Sequence, residues 1–176
     1  MKNIINLVDE KGNRIGLAEK LEVHTKGLLH EAFSIFVFNE NNELLIQRRN
    51  LLKYHSGGLW SNTCCSHPSA NENINSSIHR RLKEEMGFDC ELKKIFSFLY
   101  KTSNLGNDLI EYEYDHVFKG QIDEVTLISP DPNEVSEYRW IGIPDIEMEM
   151  EKNPELFTEW FKIILKNENF LKMVRL

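Results

Sequence analysis

The sequence predicts a mixed α and β chain of the α+β class, and three stretches predict it. "EAFSIFVFNE", residues 31–40, sets aromatic and β-branched residues between turn signals, the mark of a buried strand. "NENINSSIHRRLKEEMG", 71–87, carries Ile74, Ile78, Leu82 and Met86 four residues apart, one stripe of a helix with Gly87 as its C-terminal stop. From Pro144 onward, "PELFTEWFKIILKNENFLKM" included, the pattern is helical and amphipathic.

In chain order, a polar strand is expected at 3–8, followed by a turn in "DEKGNRIG". The buried strand 31–40 then leads through "NENN" to "ELLIQRR", which predicts a hairpin. After the helix come strands at 92–102 and 108–118, joined through "NLGN", and a third at 137–141. At about 100° per residue, Arg80 and Glu84 point away from the helix's apolar stripe. Glu85 lies near the stripe's centre and Arg81 on its edge.

No repeat, low-complexity tract or linker divides the chain, so residues 1–176 read as a single domain. Apolar residues at 41% and charged ones at 28% describe an ordinary globular composition. A formal charge of -7 argues against a nucleic-acid partner, because binding a phosphate backbone needs clustered Lys and Arg. A small anionic substrate in a locally basic pocket stays open. No run approaches the ~20 apolar residues of a membrane span, and "MKNIINLVDEKGN" turns acidic before a signal core forms. A cytoplasmic protein, monomer or homodimer, is expected. Cys64, Cys65 and Cys90 form no disulfide framework, and adjacent cysteines cannot readily bridge each other.

Within "DLIEYEYDHVFKG", strand alternation puts Glu111, Glu113 and Asp115 on one face and Tyr112, Tyr114 and His116 on the other. That face is either a solvated acidic surface or a place where two carboxylates reach one cation. His24, His30 and His67 stand in non-helical or junction contexts, and three imidazoles with two glutamates suit a divalent ion such as Mn(II). His55 and His79 read as ordinary polar residues. Glu85, on a helix's inner face, needs a partner: Arg81 one turn earlier, or Mg(II) beside a diphosphate. Lys20, Arg48, Arg49, Lys53 and Arg81 are the basic residues at hand for such an anion. Trp160 either packs in the core or offers its ring face to a cation, and a buried Tyr100 would be served by a carboxylate partner.

Residues 66–88, "SHPSANENINSSIHRRLKEEMGF", resemble the Nudix box, Gly-x5-Glu-x7-Arg-Glu-U-x-Glu-Glu-x-Gly-U, with U a bulky aliphatic. Glu72, Arg80, Leu82, Glu84, Glu85 and Gly87 fall in register, while Ser66 replaces the first Gly and Arg81 the Glu after the Arg. The chain resembles the type I isopentenyl-diphosphate Δ-isomerase family over about residues 3–160. The motifs are "EKLEVHTKGLLHEAFS", "RRNLLKYHSGGLWSNTCCSHP", "RRLKEEMG", "IEYEYDHVF" and "EYRW".

This resemblance implies a Nudix α/β/α sandwich, a mixed sheet flanked by helices, with residues 1–30 an N-terminal extension supplying His24 and His30. It implies that His24, His30, His67, Glu111 and Glu113 bind a divalent ion, Mn(II) or another such as Zn(II). It further implies that Glu85 and the Cys65 carbonyl hold Mg(II) against an isoprenoid diphosphate clamped by Lys20, Arg49, Lys53 and Arg81. Glu113, hydrogen-bonded by Tyr100, and Cys65 would exchange protons with the substrate while Trp160 supports the cationic state. Cys65 would reach thiolate if nearby cations favour it, and Cys64 would point the other way as a small apolar filler. A Nudix diphosphohydrolase acting on a nucleotide or isoprenoid diphosphate is the alternative. The loss of a box carboxylate to Arg81 weighs against it.

Overall fold

The structure, a computed structural model, describes residues 3–103, 108–123 and 125–174. The "NLGN" connection lies outside the described residues. In order come β1 (Ile4–Val8), β2 (Arg14–Glu19), α1 (Lys20–Lys26), β3 (His30–Phe38), β4 (Leu44–Arg49), β5 (Trp60–Ser61), β6 (Cys64–Ser66) and α2 (Ile74–Met86). Then follow β7 (Leu92–Thr102), β8 (Glu111–Gln121), β9 (Val135–Ile141), α3 (Ile143–Lys152), a 3-10 turn at Pro154–Leu156, α4 (Glu159–Leu165) and α5 (Glu168–Val174).

The strands form one mixed sheet centred on β3, which pairs parallel with β8 over nine positions, from His30↔Glu113 to Phe38↔Gln121. Outside β8, β7 runs antiparallel to it. The expected β3–β4 hairpin holds for one pair, Phe38↔Leu44, after which the strands part. β4 goes on to pair with β9, while β3 pairs with β6. Side chains fill the wedge between them. Thr63 Oγ1 accepts from the Val37 N–H at 2.9 Å and donates to the Leu45 carbonyl at 2.7 Å, and Asn62 Nδ2 donates to the Ile35 carbonyl at 3.1 Å. Backbone groups that a continuous ladder would have satisfied are met this way, and the sheet can open without an energetic penalty from orphaned polar groups.

Every position of β3 is buried, and its alternation separates two cores. Phe33, Ile35 and Val37 pack with Cys64 against Ile78, Leu82 and Met86 of α2. Phe36 and Phe38 join Trp160, Phe161, Ile164 and Phe170 of α4 and α5. Helices therefore cover both faces, as an α/β/α sandwich requires, and each fully buried Phe contributes about 2 to 3 kcal/mol. Asn73 caps α2 by accepting from the Asn75 N–H at 2.8 Å, and Gly87 ends it at φ 77 with its N–H on the Lys83 carbonyl.

Several elements depart from the sequence reading. β2 starts inside the segment expected to turn, and the short α1, β5 and β6 carry no periodic pattern that predicts them. α1 places His24 in the last turn of a helix rather than in a non-helical segment. β8 begins at Glu111, three residues later than expected, because Asp108 turns at φ 53 and the Ile110 N–H is committed to the His24 carbonyl at 2.9 Å. No helix among the described residues is long and apolar enough to cross a membrane.

Candidate active site

A cleft opens where the sheet splays, between β3, β6, β8 and α4. Parallel register sets His30 beside Glu113, with Glu111 one repeat earlier on the same buried face of β8. His67 arrives just after β6. His24 comes from α1, whose start is capped by the Glu19 carboxylate and whose end is fixed by Gly27 at φ 61. A Cβ at Gly27 would press on Ile110, so this position both turns the chain and lets α1 sit against the start of β8.

One ligand atom from each of His24, His30, His67, Glu111 and Glu113 lies within 4.8 Å of all the others, and four of the five residues are buried. His24 Nδ1 faces the Lys20 carbonyl at 2.7 Å and His30 Nδ1 the Leu28 carbonyl at 2.8 Å. Those contacts fix both ring orientations and aim the Nε2 atoms at the centre. His24 Nε2 then lies 3.2 Å from Glu111 Oε2 without a hydrogen bond. His30 Nε2 is 3.1 Å from His67 Nε2, and Glu113 Oε1 is 3.0 Å from His67 Nε2. Ring nitrogens and carboxylate oxygens thus converge on one point. Burial, with Lys20 alongside, pushes the His67 pKa well down and keeps it neutral. Three nitrogens and two carboxylates around a common centre fit a divalent cation, and the donor set suits several such ions.

Beside this cluster, Tyr100 donates to Glu113 Oε2 at 2.6 Å. Burial raises the Tyr100 pKa well above its usual value, so its proton stays in that bond. Burial also raises the Glu113 pKa, but hydrogen bonds and charge from His30, with help from Tyr100, more than offset it and hold the carboxyl ionised. Cys65 Sγ lines the same cleft, 3.9 Å from Arg49 Nη1 and 3.9 Å from Ser61 Oγ. Arg49 alone does not favour the thiolate here. Burial pushes the thiol up to about 12, and Arg49 offsets only part of that. Cys64 is fully buried in the α2 core, as its alternation demands.

Lys20, Arg49, Lys53, Arg81 and Glu85 all line the cleft. Arg81 Nη2 donates to Glu85 Oε1 at 2.5 Å, and Glu85 Oε2 accepts from Gln47 Nε2 at 3.0 Å. Glu84, in contrast, faces outward and is tied to Arg80 and Arg81. Arg80 makes a two-pronged bond to Glu72 at 2.8 and 2.7 Å, which staples the loop before α2 to the helix. Glu85 is thus the box carboxylate that reaches the cavity. Arg48 lies outside, exposed and paired with Glu137 at 3.5 Å.

Trp160 serves both readings, buried in the α4 core while its ring lines the cleft. Its Nε1 donates to Ser61 Oγ at 2.9 Å, and the Arg49 guanidinium stacks over the ring at 5.2 Å. Sequence reading missed His55 and Tyr54. His55 is buried against Trp160 with Nε2 3.7 Å from Glu111 Oε1, and burial holds its pKa down to about 3. Tyr54 packs edge-on to both His24 and His55. The signal available was their place next to Lys53 in one loop. His79 pairs with Asp89 at 2.6 Å on the surface, as an ordinary polar residue.

The Nudix domain family model matches residues 28–161. A protein of Deinococcus radiodurans known from its crystal structure superposes with a TM-score of 0.73 at 14% identity, covering 91% of this chain and 96% of that one. The MutT Nudix hydrolase of Burkholderia pseudomallei superposes at 0.61 and 14% identity, covering 80% and 98%. Fold and box helix together define a Nudix protein. "Isopentenyl-diphosphate Delta-isomerase 2" of Photorhabdus laumondii is 49% identical over 170 residues, 97% of this chain and 94% of that protein. The isopentenyl-diphosphate Delta-isomerase of Serratia proteamaculans is 43% identical over 175 residues, 99% and 96%. Within the Nudix superfamily, the chain belongs to the isopentenyl-diphosphate Delta-isomerase family.

Proposed function

We propose that the protein interconverts isopentenyl diphosphate and dimethylallyl diphosphate, an isomerase of isoprenoid biosynthesis. One observation carries the reading: Cys65 and Glu113, borne by strands on either side of β3, enter a single cleft beneath four basic side chains. Moving the double bond requires adding a proton to the terminal alkene carbon and removing one from the carbon two bonds away. A site that does this needs two proton-exchanging groups, a means of stabilising a tertiary cation and protection from water.

In this reading Lys20, Arg49, Lys53 and Arg81 hold the diphosphate and fix the alkene between Cys65 and Glu113. The protein's own electrostatics put a proton on the Cys65 sulfur and leave Glu113 ionised. That state suits the direction in which the thiol protonates dimethylallyl diphosphate and the carboxylate takes a proton from its methyl group. The forward direction uses the complementary state, with the proton on Glu113 and the sulfur bare. Trp160 presents an aromatic face to the cationic carbon, an interaction worth on the order of 2 kcal/mol when desolvated. A divalent ion at His24, His30, His67, Glu111 and Glu113, Mn(II) or Zn(II), would neutralise the paired carboxylates and set the acidity of Glu113. Glu85 and the Cys65 carbonyl would hold Mg(II), which supplies charge to the diphosphate. Three free thiols suit a reducing compartment, and we place the protein in the cytoplasm.

The test is incubation with isopentenyl diphosphate and Mg(II) in deuterated water, followed by NMR. Deuterium-bearing dimethylallyl diphosphate is expected. Release of phosphate without isomerisation would mark a hydrolase instead.

A further inference from the structure

We propose that Glu134 is a built-in counter-ion of the diphosphate site, which the substrate must displace and which thereby sets how tightly substrate and product bind. The inference rests on the reading of Lys53 and Arg81 as diphosphate-binding residues. Glu134 Oε2 forms an ion pair with Lys53 Nζ, and Glu134 Oε1 lies 3.3 Å from Arg81 Nη2. One carboxylate thus joins cations from two separate elements, the loop after β4 and helix α2. With Lys20, Lys53, Tyr54 and Arg81 it lines a second pocket, which shares those four residues with the cleft.

Hydrogen bonds anchor the turn that carries it. The Asp131 N–H bonds the Glu85 carbonyl at 3.0 Å, and the Glu134 N–H bonds the Asp131 carbonyl at 2.9 Å. On the other side the Asn50 N–H bonds the Glu134 carbonyl at 2.9 Å, and Asn50 Nδ2 bonds the Pro132 carbonyl at 2.6 Å. The turn bearing Glu134 is therefore tied to both elements that carry its cationic partners. Its side chain keeps 22% of its surface exposed, so it has an outward path that Glu85, at 5%, lacks.

Phosphate oxygens need the same N–H donors that Glu134 now occupies, and two anions cannot share them without repulsion. Substrate binding becomes an exchange of one anion for another. Affinity is lowered equally for substrate and product, which carry the same diphosphate, and product release is eased.

Inorganic pyrophosphate titrated calorimetrically into the purified full-length protein, with and without Mg(II), tests this. Glu134→Gln is expected to bind it about five-fold more tightly than the wild type, Glu134→Ala to move the same way, and Glu134→Asp to stay close to wild type. KM for isopentenyl diphosphate should fall with Glu134→Gln while kcat does not rise, a split that a merely structural role would not produce. Unchanged or weaker pyrophosphate binding in Glu134→Gln, with Lys53→Ala still weakening it, overturns the inference and leaves the diphosphate reading intact. Weakening confined to Mg(II)-containing buffer overturns it too, since the carboxylate would then serve the cation. If Lys53→Ala has no effect, the diphosphate reading itself falls and takes the inference with it.

Discussion

Cys64 and Cys65 are neighbours in the chain, yet they belong to opposite sides of the sheet. Cys64 lies among Ile35, Ile78 and Leu82 in a dry core, while Cys65 looks into a polar cleft beside Arg49 and Ser61. Burial raises both thiols, so acidity does not separate them. What separates them is reach. Both sides of β3 carry a packed core, but the Cys65 side also gathers buried polar atoms, such as His24 Nε2 and Glu111 Oε2, that lack a hydrogen bond.

The largest effect expected tests that contrast directly. Cys65→Ala should lower turnover by about 10²- to 10⁴-fold, the usual weight of a group moving a proton. Cys64→Ala should keep turnover within a few-fold and cost about 1 kcal/mol in urea unfolding. Equal losses with folding intact would erase the distinction between the two sides. Next, Glu111→Gln or His24→Ala should cut the divalent metal that copurifies with the protein, measured by elemental analysis, by about ten-fold or more, with activity falling in parallel. Retained metal would mean that the histidine and glutamate cluster is not a binding site.

The same contrast can be drawn along α2. Glu85→Gln should raise the Mg(II) concentration for half-maximal activity by about ten-fold, whereas Glu84→Gln, on the outer face, should leave it within about two-fold. The smallest effect belongs to the surface staple. Bonds from Arg80 outweigh burial and hold the Glu72 carboxyl down to about 2. Its folded pKa is depressed, so the stabilisation is present above the unfolded value of about 4.3 and is lost as pH falls towards 2. Glu72→Gln should cost less than about 1 kcal/mol at pH 7 and close to nothing at pH 2, read from unfolding midpoints at both pH values.

Where side-chain periodicity governs placement, the sequence was a sound guide. The inward turn of Glu85, the shared face of Glu111 and Glu113 and the split between the two cysteines all follow from regular repeats. It was a poor guide where tertiary contacts decide. α1 is seven residues held by a cap at each end, and β5 and β6 are pinned by Thr63 and Asn62 rather than by an apolar pattern. His55 carries no periodic signal, and only the closure of its loop against Trp160 brings it to Glu111. Glu134 was invisible for the same reason, since its ion pairs join segments more than 50 residues apart.

The parallel pairing of β3 with β8 has a consequence during synthesis. Its register joins residues 30–38 to 113–121, so a ribosome must release most of the chain before Glu113 can meet His30. Until then the early histidines have no carboxylates to converge with. Pairings this distant in sequence form late and slowly. A nascent chain cut short before β8 should therefore neither hold a metal at this cluster nor assemble the cleft.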